Sequence, residues 1–128
     1  MSQTLVMYCA RSELINANHK MAWQPKARLT KAMRTNARWH ARAFLKPVTG
    51  RVRIVATYSF PSARSLPDAG NMAPTTKACV DGLRDAGILA EDTIRYVVGE
   101  DSRVDAFGDR PGLVRISIAL HDASEVTA

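Results

Sequence analysis

Acidic residues are nearly missing from the first 53 positions of this 128-residue chain, where Glu13 stands alone against eleven Lys and Arg. That scarcity excludes an evenly balanced surface for the N-terminal half. Cysteine is scarce too. Cys9 and Cys79 are isolated, with no CxxC pair and no Cys/His cluster, which excludes a disulfide framework or a structural zinc site. Both are expected to be reduced, packed thiols in a cytosolic protein. No apolar run approaches the ~20 residues of a membrane span. The N-terminus has no basic segment leading into an apolar stretch, so no signal peptide is expected. The chain is therefore expected to be soluble and cytoplasmic. Its length suits one domain, 1–128, since a domain takes roughly 100–200 residues.

What is present is a polarised charge. Residues 1–53 balance eleven cations against one acid, and residues 54–128 balance seven against eleven, so the halves stand at +10 and −4. Such a field attracts and orients a polyanion, and nucleic acid is the expected partner.

Thr4 to Cys9 suits a strand, and Ile15 to His19 has turn character before Lys20. Lys26 to Lys46 is rich in good helix formers. At 100° per residue, Lys31, Arg34, Arg38 and Arg42 share a stripe about 80° wide. Leu29, Met33, Ala37, His40 and Phe44 fall opposite, giving one basic face and one core face. Pro47 and Gly50 end this helix. Val52, Ile54, Ala56, Tyr58 and Phe60 then recur at the period of two of a half-buried strand. Pro61 to Ala73 reads as a loop, and a second helix runs from Pro74 to Ala86, with Gly87 as its left-handed cap. Thr93–Val98 and Leu113–Leu120 read as two more strands, joined by Gly99–Gly112 in an antiparallel hairpin. The order β-α-β-α-β-β predicts an α/β (α+β) fold: one mixed sheet of about four strands with two main helices packed on it.

Asp68, Asn71, Lys77, Asp81, Glu91 and Asp92 supply oxygen donors and one ammonium around the second helix. Carboxylates from separate segments are what a Mg2+ site needs. Each residue has a plainer role as well. Asp68 fits an Asx-turn, Asn71 a helix cap, Lys77 and Asp81 an i,i+4 ion pair, and Glu91 and Asp92 ordinary turn acids. Their joint occurrence beside a basic half favours a site.

The residues also resemble a family. Phe60-Pro61, Arg64, Asp68, Asn71, Lys77-Ala78, Asp81, Leu83, Ala86-Gly87 and Glu91-Asp92 are similar, in that order, to the RusA group of Holliday-junction resolvases. Asn16-Ala17-Asn18-His19-Lys20 resembles that group's early basic loop. Gly70 stands where the family's D-x-D-N has its second Asp, and Asp68 to Lys77 is three residues longer than the archetype. Asp68, Asn71, Pro74, Thr75 and Lys77 resemble a D-x-x-N-x-x-P-T-x-K variant of actinobacterial and phage sequences. The resemblance implies a homodimeric, Mg2+-dependent (Mn2+ substituting) endodeoxyribonuclease, with no small-molecule cofactor, that cuts four-way junctions by paired nicks in a bacterial host cytoplasm. It implies Asp68, Lys77 and Asp92 as catalytic residues and Asp68 and Asp92 as metal ligands. Asn71, Glu91 or Asp81 would replace the ligand missing at Gly70.

Lys31, Arg34, Arg38 and Arg42 are expected to contact phosphates, extended by Lys20, Lys26, Arg28 and Arg64. Trp23 and Trp39 are expected mainly to pack, with base stacking as the alternative. No His has ligand spacing. Alternative functions are a nuclease for other branched or flapped DNA, a non-catalytic nucleic-acid binder, and a metal-independent ribonuclease.

Overall fold

The computed structural model describes residues 2–18, 20, 22–89 and 97–123. Its elements are β1 (Gln3–Cys9), a 3-10 turn (Arg11–Glu13), α1 (Trp23–Phe44), β2 (Val52–Ser59), a second 3-10 turn (Ala69–Met72), α2 (Ala73–Asp85), β3 (Val97–Asp105) and β4 (Val114–Asp122). The expected class and order hold: one mixed four-stranded sheet with two helices.

The strand order is β1-β4-β2-β3. β4 lies antiparallel between β1 and β2, and β3 runs parallel to β2 at the opposite edge. The expected hairpin of the last two strands is thus corrected, because β4 crosses over β2 instead of pairing with β3. The segment read as a loop from Gly99 is strand as far as Asp105. Its polar sequence hides this, because an edge strand has few core positions to fill. The strand expected over 93–98 lies outside the described residues up to position 96.

Leu5, Met7 and Cys9 of β1, Ile116, Ile118 and Leu120 of β4, and Ile54, Ala56 and Tyr58 of β2 lie in register on one sheet face. They form one core with Met33, Ala37 and Ala41 of α1 and Ala78, Cys79, Val80 and Leu83 of α2. Each fully buried aliphatic or aromatic side chain contributes about 1.5–3 kcal/mol. Both helices therefore cover one face of the sheet. Val6 and Arg53 are exposed on the other.

α1 begins three residues before its expected start, because Pro25 falls in a first turn that needs no donor there. Its buried stripe is narrow. Phe44, expected in the core, is 73% exposed in the last turn. Trp39 is 62% exposed, since two residues beyond buried Ala37 it points to the opposite side of the helix. Trp23 is 79% exposed, about three turns before the first buried residue, Met33. Neither tryptophan packs, which corrects that expectation. α2 keeps its expected limits: Pro74 is in the first turn, and Gly87 has φ +78°.

The two helices meet at Gly82. A Cβ there would lie 2.4 Å from the Arg34 carbonyl oxygen and 2.7 Å from the Ala37 Cβ. Only glycine allows this approach. Both cysteines are buried and unpaired, as expected, and burial pushes each thiol up to about 12. No helix among the described residues is long and apolar enough to cross a membrane.

Candidate functional site

β2, α2 and β3 form a parallel β-α-β unit, and the loop from Pro61 leaves the carboxyl end of β2. In such units that end is where ligands bind. Asp68 and Asn71 lie in this loop, and Asp105 ends β3 beside it. The Asp105 carbonyl accepts from Phe60 N at 2.9 Å, and its carboxylate accepts from Phe107 N at 3.0 Å. Asp105 was not read from the sequence as part of a site, because its placement depends on a strand pairing 46 residues away (105 against 59).

Asp68 is exposed and precedes the 3-10 turn. Asn71 N donates to its backbone oxygen at 3.0 Å, and among the described residues its carboxylate caps nothing. It is thus presented outward and not consumed as an Asx-turn. Asn71 does not cap α2 either. Met72 holds that position without a side-chain bond, while Asn71 O accepts from Ala17 N at 3.0 Å.

The early loop is fixed to this site from two sides. Buried Thr75 accepts from Ile15 N at 2.8 Å and donates to Ile15 O at 3.0 Å. Arg11 donates to Ser65 O and places its guanidinium 5.1 Å from the Phe60 ring centroid. Ser65 has φ +54°, a left-handed conformation that a non-glycine residue keeps only when held. Arg11 holds it. A cavity of about 340 Å3 lies between the two segments, lined by Arg11, Ser12, Leu14, Asn16, Phe60, Pro67 and Met72. Arg11 and Thr75 carry no local pattern that announces this clamp.

α2 is locked in rotation by a buried hydroxyl chain. Tyr58 and Thr76 share a hydrogen bond of 2.8 Å, and Thr76 and Ser102 one of 2.7 Å. Burial pushes the Tyr58 phenol well above its ordinary pKa, so it stays protonated. With Thr75 and Thr76 inward, the next residue, Lys77, faces out. Its ammonium lies 3.4 Å from Asp81, so the expected i,i+4 pair is present. Asp81 also meets Arg84 at 3.1 Å and Arg34 at 3.9 Å. Its side chain is only 17% exposed. Surrounded by three cations, Asp81 is suited to steer Lys77 more than to hold a metal.

Among the described residues no group of three or more His, Cys, Asp or Glu is arranged to hold a metal ion. Glu91 and Asp92 lie outside the described residues, so the expected ligand set is only partly on view.

The basic stripe is divided. Lys20, Lys26, Arg28, Lys31, Arg42 and Arg64 are exposed. Arg34 instead turns toward α2 and grips Asp85 with two bonds, of 2.5 and 2.8 Å. That pairing lowers the Asp85 pKa and raises that of Arg34. Arg38 is half-buried, and its Nε has no hydrogen-bond partner among the described residues. His40 projects to the half-buried side, where Nδ1 donates to Asn36 O at 2.8 Å. No family model matches this sequence, and no curated protein is significantly similar to it.

Proposed function

We propose that this chain is a Mg2+-dependent, structure-specific endodeoxyribonuclease that resolves four-way DNA junctions by paired symmetric nicks, acting as a homodimer. The observation that carries the reading is the placement of Asp68 and Lys77 at the carboxyl end of a parallel strand pair, beside a helix with six cations and no acid. Two symmetric cuts need two sites related by a two-fold axis.

Mg2+ is a hard ion that takes oxygen ligands; on this reading Asp68 supplies an outward carboxylate, Asn71 lies close in sequence, and Glu91 and Asp92 complete the proposed set. Bound there, Mg2+ would lower the pKa of a coordinated water and neutralise phosphate charge. Lys77 stabilises the negative charge that grows on the phosphate during in-line attack, and Asp81 keeps its ammonium on that side of α2. Arg11 fixes the loop that carries Asp68. The exposed cations of α1 grip phosphates without reading bases, as recognition of branch shape requires.

The test compares native protein with Asp68→Asn and Asp92→Asn on a labelled four-way junction, with Mg2+, Mn2+ or EDTA. Metal-dependent nicks lost in both variants, with junction binding kept or tightened, support the reading. Binding lost in parallel with cleavage assigns the acids a structural role. A second reading, a junction binder without catalysis, is favoured by Gly70 at the position of an expected carboxylate; tight binding with no cut in any metal would establish it.

A further inference from the structure

The first sixteen residues of α1 border a groove of about 640 Å3, reaching from Trp23 past Lys26 and Lys31 to Arg38, with Asp85 of α2 on its rim. Asp85 is the one acid among the lining residues, and Arg34 already neutralises it. The remaining field comes from Lys26, Lys31 and Arg38. Arg38 lines the far end of the groove, half-buried, with no hydrogen-bond partner for its Nε among the described residues.

At the N-terminal end stands Trp23, one of the most exposed large side chains of the described protein. An indole left in water at one end of a row of three cations suits a ligand with both a flat apolar face and regularly spaced negative charge. Nucleic acid has both, but a paired duplex keeps its base faces stacked inside. Only an unpaired strand offers a base to Trp23 while its phosphates reach the cations. At 1.5 Å per residue, Trp23 to Arg38 spans about 22 Å, room for several nucleotides.

We infer that the α1 groove holds an unpaired DNA strand, with one base stacked on Trp23 and phosphates on Lys26, Lys31 and Arg38. This rests on the nucleic-acid reading above and adds to it: the protein recognises unpaired nucleotides where strands part, besides the shape of the branch.

The probe is an eight-nucleotide oligothymidylate, with an abasic oligomer of equal charge beside it, both in EDTA. In Trp39→Phe protein, where Trp23 is the sole tryptophan, the oligothymidylate should quench the fluorescence and the abasic oligomer should not. By anisotropy, native protein should bind the abasic oligomer about tenfold more weakly. Trp23→Ala should bind both alike, and Trp23→Phe should keep most of the difference. Equal binding of the two oligomers by native protein would overturn the inference, as would quenching by polyglutamate as strong as that by DNA. Junction cleavage is assayed on the same preparations. Base discrimination that depends on Trp23, without any cleavage, removes the nuclease and leaves the groove; cleavage without discrimination removes the groove alone.

Discussion

The helices α1 and α2 rest on the same face of one sheet and are built for opposite ends. α1 has 22 residues and buries Met33, Ala37 and Ala41; it carries six cations and no acid. α2 has 13 and buries seven of them, balancing Lys77 and Arg84 with Asp81 and Asp85. A helix buried so deeply, and bonded through Thr75 and Thr76, can aim a side chain reproducibly. A helix held by one narrow stripe offers charge over a wide surface. On the proposed reading, positioning for chemistry belongs to α2 and affinity to α1, and each prediction tries to break that division.

The largest expected effect is at Lys77. Lys77→Met should slow single-turnover junction cleavage by about 100-fold or more, with the dissociation constant nearly unchanged. A matching loss of affinity would mean that α2 shares the binding role of α1.

Gly82→Ala forces a methyl into the Arg34 carbonyl and the Ala37 side chain, and should cost about 1–3 kcal/mol in urea unfolding. Ala32→Gly, on the exposed side of α1, should cost only about 1 kcal/mol, the usual helix propensity difference. Equal losses would show that the helix contact is looser than it looks.

The core beneath α2 should also respond to alkali. Cys9 and Cys79 are pushed from 9.0 to about 12, so unfolding releases protons once the pH passes 9. Their contribution is full below pH 9 and is lost as pH rises toward 12, at roughly 1.4 kcal/mol per pH unit per thiol. Unfolding at pH 8, 9.5 and 10.5 measures it, and both thiols should resist a disulfide reagent at pH 8 until the chain unfolds. A native thiol that reacts at pH 8 would contradict the burial.

The smallest effect is at Asp85. Its pair with Arg34 is partly exposed, so Asp85→Asn should cost under about 1 kcal/mol of stability. Removing that acid also leaves Arg34 only its longer contact with Asp81, at 3.9 Å, and DNA should bind a few-fold more tightly. Weaker binding would show that Arg34 needs Asp85 to face the groove.

Much of this division was legible in the sequence. Alternation marked β2 and β4, Pro74 and Gly87 bounded α2, and the cation spacing gave α1 its basic side. The mixed sheet and the order of elements followed. The insertion of β4 between β1 and β2 did not, because strand pairing is set by packing far along the chain. Trp23 and Trp39 were misread because size suggests burial, whereas only helical phase and the extent of cover decide it. For the candidate site, Asp68, Asn71 and Lys77 stood out as a motif. Arg11 and Thr75, which fix it, bond to partners 54 and 60 residues away, and no local pattern predicts such distances.

The most direct measurement is single-turnover cleavage of a labelled four-way junction at saturating protein, with Mg2+ and over a range of salt. Native protein runs beside Lys77→Met and the double variant Lys31→Gln/Arg42→Gln. The account predicts metal-dependent symmetric nicks, a slow step in Lys77→Met at every salt concentration, and a native saturated rate in the double variant. That variant's binding should lose about 1.6 from its slope against log salt, about 0.9 for an Arg42 contact to duplex and about 0.7 for a Lys31 contact to the unpaired strand. A junction left intact in Mg2+, or a double variant as slow as Lys77→Met when saturated, would contradict it.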